Sequence, residues 1–337
     1  MPTYYSDNSL TIGPAGAGAE RINDVLAARG LGRLLARPIR IAGGRLAVQV
    51  ADGTAEAVLR AIEQAGLAED VRRDPLFHNG TFPLLGARTP HAFTPEVMST
   101  TPPVAPPWTP PPAGMRRPVI ALLDGAVLDH PWLPKTSDDD PFLLDAEDPA
   151  LEHPWSSRLP PGTAGHATFL AGVIRAAAPG ARILAVRIAG DDGAAEESTL
   201  IGALEWLHEH TVRGHPVDVV CLPLGRMPGA EDDRVTLAGV ERAIGDLVGA
   251  GIPVAASAGN DHVDTPVYPA AFRGVTAVGA GISGYHARFS NHGGWVDRYR
   301  EGVDVQSVLP PDGWARWSGT SFSVAHFVAD LARPQVV

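Results

Sequence analysis

RPVIALLDG, residues 117–125, is a short apolar run that ends in Asp124 and Gly125. A continuous apolar run of this length is typical of a strand buried on both faces, as the strands of parallel sheets are. Ligands of parallel α/β sheets bind at the carboxyl ends of the strands, and Asp124 stands at that end of the run. The stretch therefore predicts a parallel sheet with a functional site at its carboxyl edge.

Strand and helix patterns alternate from this run towards the C-terminus. Residues 165–180 (GHATFLAGVIRAAAPG) predict a helix that opens on His166 and stops at a Pro-Gly pair. Helices are also predicted over residues 199–210 and 233–250, between strands at ARILAVRI, VDVVCLPLG, GIPVAASAGN and GVTAVGA. Repeated βα units predict an α/β fold, a doubly wound parallel sheet with helices on both faces.

The first 86 residues carry a different pattern, which predicts a small α+β N-terminal domain. Apolar residues recur at helical spacing over residues 19–36, and alternation on both sides of Gly43-Gly44 predicts a hairpin. Residues 54–66 predict an amphipathic helix, which a short strand follows.

Residues 87–117 are rich in proline, including TPPVAPPWTPPP, which favours the extended polyproline II conformation. We interpret this stretch as a linker between the N-terminal domain, residues 1–86, and an α/β domain over residues 118–337. The alternative is a segment that lies along a groove as an extended peptide.

Charge and cysteine content narrow the classes of partner and compartment. The formal net charge of −11 argues against a nucleic-acid partner, because binding to phosphates needs a basic surface. The single cysteine, Cys221, excludes an intramolecular disulfide and fits a small buried residue of a predicted strand. No apolar run approaches the roughly 20 residues that span a bilayer, and the first residues lack the features of a secretory signal. We therefore expect a soluble, cytoplasmic protein with no nucleic-acid and no membrane partner.

WSGTSFSVAHFVADLA, residues 317–332, predicts a turn that enters a helix at Ser321. A serine at this place is ordinarily an N-cap, whose oxygen accepts from N–H groups of the first turn. It also suits a nucleophile, because the positive end of a helix stabilises the oxyanion formed by its attack. Three polar residues at predicted strand ends and helix starts favour the second interpretation: Asp124, His166 and Asn260.

These four residues together supply the groups that acyl transfer needs. Ser321 would attack a carbonyl carbon, and His166 would take its proton and return it to the leaving group. Asp124 would fix the tautomer of the imidazole. Asn260 and the backbone N–H of Ser321 would donate to the oxyanion.

The chain order Asp, His, Ser with a separate Asn resembles that of subtilisin. Four segments resemble the aspartate, histidine, oxyanion and serine motifs of the subtilase family; they are VIALLDGAVLDHPWL, GHATFLAGVI, ASAGND and SGTSFSVAH. The resemblance covers residues 117–332 and implies a subtilisin-like serine endopeptidase that acts on a peptide or protein substrate and needs no cofactor. It implies Asp124, His166 and Ser321 as the catalytic triad, with Asn260 in the oxyanion hole.

The same resemblance implies two backbone edges that pair with an extended substrate. Their residues are Leu222, Pro223, Leu224, Gly225, Ala256, Ser257, Ala258 and Gly259. The N-terminal domain is similar in element order to the propeptide domains of such proteases, which implies an intramolecular inhibitor of the cleft.

Several departures from the family pattern leave the fate of the acyl-enzyme open. The small residue and glycine that usually follow the aspartate are Gly125-Ala126, Ala167 replaces the glycine after the histidine, and Ala325 replaces a proline. The chain also stops at Val337, soon after the serine helix, so a shortened C-terminus is expected. The alternatives to hydrolysis are a transpeptidase or macrocyclase of the same fold, or a catalytically dead subtilase that acts as a binding module.

No metal site is expected. Many secreted subtilases carry a calcium-binding insertion after the histidine helix, and residues 171–181 contain no such insertion. His208 and His210, near His215, do not share one helix face. An acidic run lacks a patterned ligand loop; it comprises Asp138, Asp139, Asp140, Asp145, Glu147 and Asp148.

Overall fold

A computed structural model describes residues 5–31, 34–41, 45–50, 55–78, 95–108, 110–111, 113–135, 142–145, 165–190, 193–228, 233–282 and 285–332. Its strands are Tyr5–Ile12 (β1), Leu34–Ile41 (β2), Arg45–Val50 (β3), Val71–His78 (β4), Glu96–Ser99 (β5), Val119–Asp124 (β6), Leu143–Asp145 (β7), Arg182–Arg187 (β8), Ala194–Glu196 (β9), Val219–Leu222 (β10), Val254–Ser257 (β11), Val275–Ile282 (β12), Tyr285–His286 (β13), Arg298–Arg300 (β14), Val305–Leu309 (β15) and Gly313–Trp317 (β16). Its helices are Ala19–Ala28 (α1), Ala55–Gln64 (α2), His166–Ala177 (α3), Glu197–Val212 (α4), Asp233–Gly249 (α5) and Thr320–Ala332 (α6).

Strand β6 lies inside an eight-stranded sheet of order β13-β12-β11-β10-β6-β8-β7, in which β14 also pairs with β12. The neighbours from β12 to β7 are parallel. After β6, the chain adds β7 and β8 on one side of β6 and then β10 on the other side. The direction in which successive strands are added to the sheet therefore reverses at β6. The predicted α/β fold with a doubly wound parallel sheet is confirmed. Asp124 ends β6, at the reversal point where open sheets form their ligand crevice.

Helices cover both faces of this sheet because successive side chains of a strand point to opposite sides. Ala121 and Leu123 of β6 pack in the layer that contains α4 and α5. Ile120 and Leu122 pack in the layer that contains α3 and α6. Each buried Leu, Ile, Val or Phe side chain contributes about 1.5–3 kcal/mol of burial free energy. This packing holds the first turns of α3 and α6 at the edge where β6 ends.

Strands β2-β3-β1-β4 form the sheet of the N-terminal unit, which α1 and α2 cover. The helical spacing predicted over residues 19–36 is only partly correct. Helix α1 ends at Ala28, and Leu34 already belongs to β2. Gly30 explains the early end, because its φ of 66° is a left-handed conformation that terminates helices.

Strand β4 also pairs with β9, which directly precedes α4 of the α/β domain. The antiparallel register sets Leu76 opposite Glu196, Phe77 opposite Ala195 and His78 opposite Ala194. The sheet of the N-terminal unit therefore continues into a strand of the α/β domain.

The described part of the predicted linker, which starts at residue 95, lies against the α/β domain. Strand β5 pairs with β16. The carbonyl of Pro103 accepts from Trp132 Nε1 at 2.7 Å, and that of Pro106 accepts from Arg175 Nη2 at 3.1 Å. No helix of the described residues is long and apolar enough to cross a membrane.

Candidate active site

Asp124 and His166 form a buried hydrogen-bonded pair. Asp124 ends β6 and His166 begins α3. The carboxylate Oδ2 and the imidazole Nδ1 are 2.7 Å apart, and the side chains are 1% and 3% exposed. The second carboxylate oxygen, Oδ1, accepts from the backbone N–H of Gly125 at 2.5 Å. A carboxylate held in this way orients the ring and leaves its other nitrogen, Nε2, to exchange a proton with another group.

The start of α3 places His166 against α6. Gly165 precedes the helix with a φ of 101°, and a Cβ at this position would lie 2.8 Å from Pro310 Cδ, so the turn requires glycine. The His166 ring contacts the rings of Trp317 and Phe322, with centroid distances of 5.6 and 5.7 Å. Phe322 is the next residue after Ser321, so the imidazole lies against the first turn of the serine helix.

Ser321 is the second residue of α6, and it is 3% exposed. Its Oγ donates to the backbone carbonyl of Pro223 at 3.2 Å. Pro223 directly follows β10, which is the neighbour of β6 in the sheet. The structure therefore brings Ser321 to the same sheet edge as Asp124 and His166.

Asn260 lies just beyond the end of β11, and Thr320 holds its side-chain oxygen. Asn260 Oδ1 accepts from the backbone N–H of Thr320 at 2.9 Å and from its hydroxyl at 3.0 Å. The same hydroxyl accepts from the backbone N–H of Gly259 at 3.1 Å. Because the oxygen is engaged, the Asn260 amide presents its N–H donors in another direction. The sequence patterns did not predict this contact of Thr320 with Asn260. The position of Thr320 directly before Ser321 in the serine motif is the one signal that could have indicated it.

The two alanines that depart from the family pattern fit the core. Ala167 is 2% exposed, and the bond between His166 and Asp124 beside it measures 2.7 Å. Ala325 is fully buried in the layer between α3 and α6. The methyl group of Ala167 therefore does not separate the imidazole from its carboxylate.

The predicted substrate edges comprise the last residues of β10 and β11 and the residues that directly follow them. Leu222 and Ala256 lie opposite each other inside the parallel sheet. Gly225 passes so close to Val267 that a Cβ would lie 2.6 Å from its Cγ1. Four side chains of the predicted edges are core residues with at most 1% exposure: Leu222, Leu224, Ala256 and Ala258. Their assignment to substrate binding, with that of Pro223, Ser257 and Gly259, stays a prediction.

A buried ion pair lies next to the predicted substrate edge at residues 222–225, and the sequence patterns did not predict it. Arg226 Nη2 donates to Glu197 Oε2 at 3.0 Å, and the side chains are 5% and 6% exposed. The guanidinium carbon of Arg226 lies 5.1 Å from the ring centroid of Phe77, which belongs to the N-terminal unit. No short motif reveals the pair, because its members are 29 residues apart.

Cys221 is a fully buried residue of β10. Burial raises the pKa of its thiol, and the charge of Asp124 raises that pKa further. Only the thiolate reacts with alkylating reagents. We therefore expect iodoacetamide to leave Cys221 unmodified in the folded protein at mildly alkaline pH and to modify it in denaturant, as measured by intact mass. Equal modification rates in the two conditions would contradict this expectation.

The residues weighed as metal ligands divide into two groups. Asp138, Asp139, Asp140, Glu147 and Asp148 lie outside the described residues, as does the side chain of Asp145. The His210 ring stacks on His215 and on Trp206, each at a centroid distance of 4.6 Å. In the described part of the chain, no group of three His, Cys, Asp or Glu side chains is arranged to hold a metal ion.

The comparison with protein families bears on the region that contains this site. A sequence model described as "Subtilase family" matches residues 116–333. The chain belongs to the subtilase family. The matched region runs from β6 to α6 and so includes Asp124, His166, Asn260 and Ser321.

This subtilase is similar in sequence to Subtilisin BL of Lederbergia lenta, at 32% identity over 178 residues. It is also 30% identical over 181 residues to Subtilisin E of Bacillus subtilis (strain 168). Each alignment covers 50% of this chain, and they cover 62% and 44% of the two relatives. The aligned part therefore spans less than two thirds of the length of either relative.

Two solved structures share the fold of this subtilase. A mutant of the protease domain of PatA is 24% identical, with a TM-score of 0.50 over 65% of this chain and 80% of that chain. A cold adapted subtilisin-like serine proteinase is 21% identical, with a TM-score of 0.51 over 70% of this chain and 81% of that chain.

Proposed function

We propose that this subtilase is a serine endopeptidase that cleaves peptide bonds through an acyl-enzyme on Ser321. One observation carries the proposal. The buried bond of 2.7 Å between Asp124 and His166 lies at the first turn of the helix that holds Ser321. A general base oriented by a carboxylate and set beside a hydroxyl nucleophile is the arrangement that acyl transfer requires.

The proposed reaction assigns one proton path to these groups. Asp124 accepts the Nδ1–H of His166, so Nε2 carries the lone pair and takes the proton of Ser321 Oγ as the oxygen attacks the substrate carbonyl. The protonated imidazole then donates that proton to the leaving amine, and the acyl group remains on Ser321. Nε2 next takes a proton from water as the water oxygen attacks the acyl-enzyme, and the imidazolium gives that proton to Ser321 Oγ as the bond between Oγ and the acyl carbon breaks and the second product leaves.

In the same proposal, Asn260 and the backbone N–H of Ser321 stabilise the oxyanion of each tetrahedral intermediate. The two bonds from Thr320 to Asn260 Oδ1 support this assignment, because they fix the plane of the amide before any substrate binds. Fixed donors stabilise developing charge without the cost of reorganisation, and removal of one such donor typically costs about 10²–10³ in kcat.

A fluorophosphonate probe tests the proposal directly. We expect covalent labelling of the folded protein at Ser321, located by peptide mass spectrometry. We also expect hydrolysis of unstructured polypeptide into products whose summed mass exceeds that of the substrate by one water for each bond cleaved. Products that lack this mass would indicate transpeptidation or cyclisation. Absence of labelling at Ser321, both in the intact chain and after cleavage within residues 87–94, would overturn the proposal in favour of a binding module.

We also propose that residues 5–78 act as an intramolecular inhibitor of this site. Strand β4 pairs with β9 of the α/β domain by strand addition, which is the mode in which an extended peptide binds a sheet edge. Phe77 is completely buried between the two units, with its ring beside Arg226. The proposal adds β9 to the edges that an extended substrate uses, and a substrate strand cannot pair with the side of β9 that β4 occupies.

Asp74 supplies a polar contact that supports the same docking. This side chain is fully buried, and its Oδ1 accepts from the backbone N–H of Ser198 at 3.2 Å at the start of α4. Its Oδ2 accepts from the hydroxyl of Ser198 and, at 3.1 Å, from that of Ser9. A carboxylate at a helix N-terminus interacts favourably with the helix dipole.

Asp74→Asn is expected to raise the rate of probe labelling at Ser321 in the intact chain by about tenfold or more. The reason is that hydrogen bonds to a charged group contribute about 1.5–3 kcal/mol, which the neutral amide loses in part. Asp24→Asn, at an exposed position of α1, is the matched control and should leave the rate unchanged. An unchanged rate for Asp74→Asn, together with equal activity of intact chain and chain cut within residues 87–94, would refute the inhibitor proposal.

A further inference from the structure

The loop that carries Asn260, residues 258–263, is held by the side chain of Asn291. Asn291 Nδ2 donates to the carbonyl of Ala258 at 2.8 Å, before Asn260 in the chain. Asn291 Oδ1 accepts from the backbone N–H groups of Asp261 and Val263, at 2.9 and 3.2 Å, after Asn260. One amide therefore bonds the loop on both sides of Asn260.

Backbone hydrogen bonds connect the same two segments. Asn291 N–H donates to the carbonyl of Gly259 at 2.9 Å, His262 N–H to that of Phe289 at 2.9 Å, and His292 N–H to that of Val263 at 3.0 Å. Asn291 itself is 0% exposed. Its side chain therefore makes bonds that water does not screen or replace, and such bonds fix geometry more strongly than exposed ones.

The Asn291 amide occupies the space that a side chain at position 259 would need. Gly259 has a φ of 99°, and a Cβ at this residue would lie 2.4 Å from Asn291 Nδ2. The loop thus takes a left-handed turn, immediately before Asn260, around the side chain that holds it. Burial raises the pKa of the neighbouring Asp261 carboxyl, and a hydrogen bond from Asn291 partly offsets that rise.

We propose that Asn291 is a positioning residue for the oxyanion donor Asn260. This inference rests on the proposed endopeptidase function. Thr320 fixes the end of the Asn260 side chain, and Asn291 fixes the backbone from which that side chain starts. A donor fastened at both points has one direction for its N–H groups. When the support from Asn291 is lost, the Cα of Asn260 shifts, the amide pivots about Thr320, and its N–H groups no longer aim at the oxyanion.

Asn291→Ser and Asn291→Ala are the test variants, measured with a peptide substrate in the full chain, both intact and cut within residues 87–94. We expect kcat to fall by about ten- to a hundredfold, because an error near 1 Å in the position of a catalytic group costs about a hundredfold. KM should change less than about twofold, because the oxyanion forms only in the transition state. Serine keeps a hydroxyl for part of the bonding and should lose less than alanine. Ser290→Ala is the matched control, since Ser290 is equally buried and its hydroxyl bonds Ala280 and the backbone carbonyl of Asn291, outside the 258–263 loop.

A double-mutant cycle with Asn260→Ala separates positioning from general structural support. If Asn291 acts through the Asn260 amide, the Asn291 variants should lower kcat less than about threefold when Asn260 is already alanine. Equal losses in both backgrounds, or losses matched by Ser290→Ala, would overturn the inference. Unchanged kcat in folded Asn291→Ser would also overturn it. A wild-type protein without hydrolytic activity, both as the intact chain and after cleavage within residues 87–94, would instead refute the endopeptidase proposal, so the two failures are distinct.

Discussion

Replacement of Ser321 by alanine is expected to lower kcat for peptide hydrolysis by about a million-fold, the loss typical of a nucleophile that acts as one unit with its base. Without the Oγ atom, no acyl-enzyme forms and His166 has no proton to accept. Binding should persist, because the backbone edges proposed to pair with the substrate and the Asn260 amide remain in place. The measurement is hydrolysis of a fluorogenic peptide, together with the loss of fluorophosphonate labelling.

Ser323→Ala is the control for this variant. Ser323 lies on the same helix, is fully buried, and donates to the carbonyl of Arg300 at 3.2 Å, so its hydroxyl is engaged away from Ser321. We expect its kcat to stay close to that of the wild type. His166→Ala should match Ser321→Ala, and the double variant should be no worse than either alone. Near-wild-type hydrolysis by folded Ser321→Ala, or additive losses in the double variant, would exclude Ser321 as the nucleophile.

The α/β sheet could be predicted from sequence because its signals are local. Each central strand is an unbroken apolar run, and the polar residue that ends the run marks the functional edge. Asp124 and His166 could therefore be expected at one edge before any coordinates were known. The structure places the first residue of α3 beside the last residue of β6, with 2.7 Å between the two side chains.

Features that depend on contacts between distant residues could not be predicted in the same way. Strand β4 pairs with β9 across more than a hundred residues, and no local pattern in either strand names its partner. No periodicity or motif in the sequence indicated a role for Asn291. Its contacts arise because the turn at Gly259, which is distant in sequence, folds around its side chain. The proline-rich stretch favours an extended chain, but its composition does not state that Pro103 and Pro106 accept bonds from the α/β domain.

Replacement of Asp124 by asparagine is expected to lower kcat by about ten-thousand-fold, with little change in fold. The amide is nearly isosteric with the carboxylate, so it fits the same buried site at the end of β6. It can turn its N–H toward His166 Nδ1, which makes Nδ1 the acceptor and places the ring proton on Nε2. An Nε2 that carries a proton cannot take one from Ser321. The variant also removes the charge that stabilises the imidazolium formed during attack.

This loss should appear in two separate measurements, the rate of probe labelling and kcat for peptide hydrolysis. Fluorophosphonate labelling needs the base as peptide hydrolysis does, so its rate should fall along with kcat, whereas KM and the thermal unfolding temperature should stay near wild type. Asp129→Asn is the control, because Asp129 lies five residues further along the chain with its side chain 94% exposed. A folded Asp124→Asn protein that keeps more than about a tenth of wild-type kcat would show that the carboxylate does not set the tautomer of His166. The bond between Asp124 and His166 would then hold the first turn of α3 in place without a part in proton transfer.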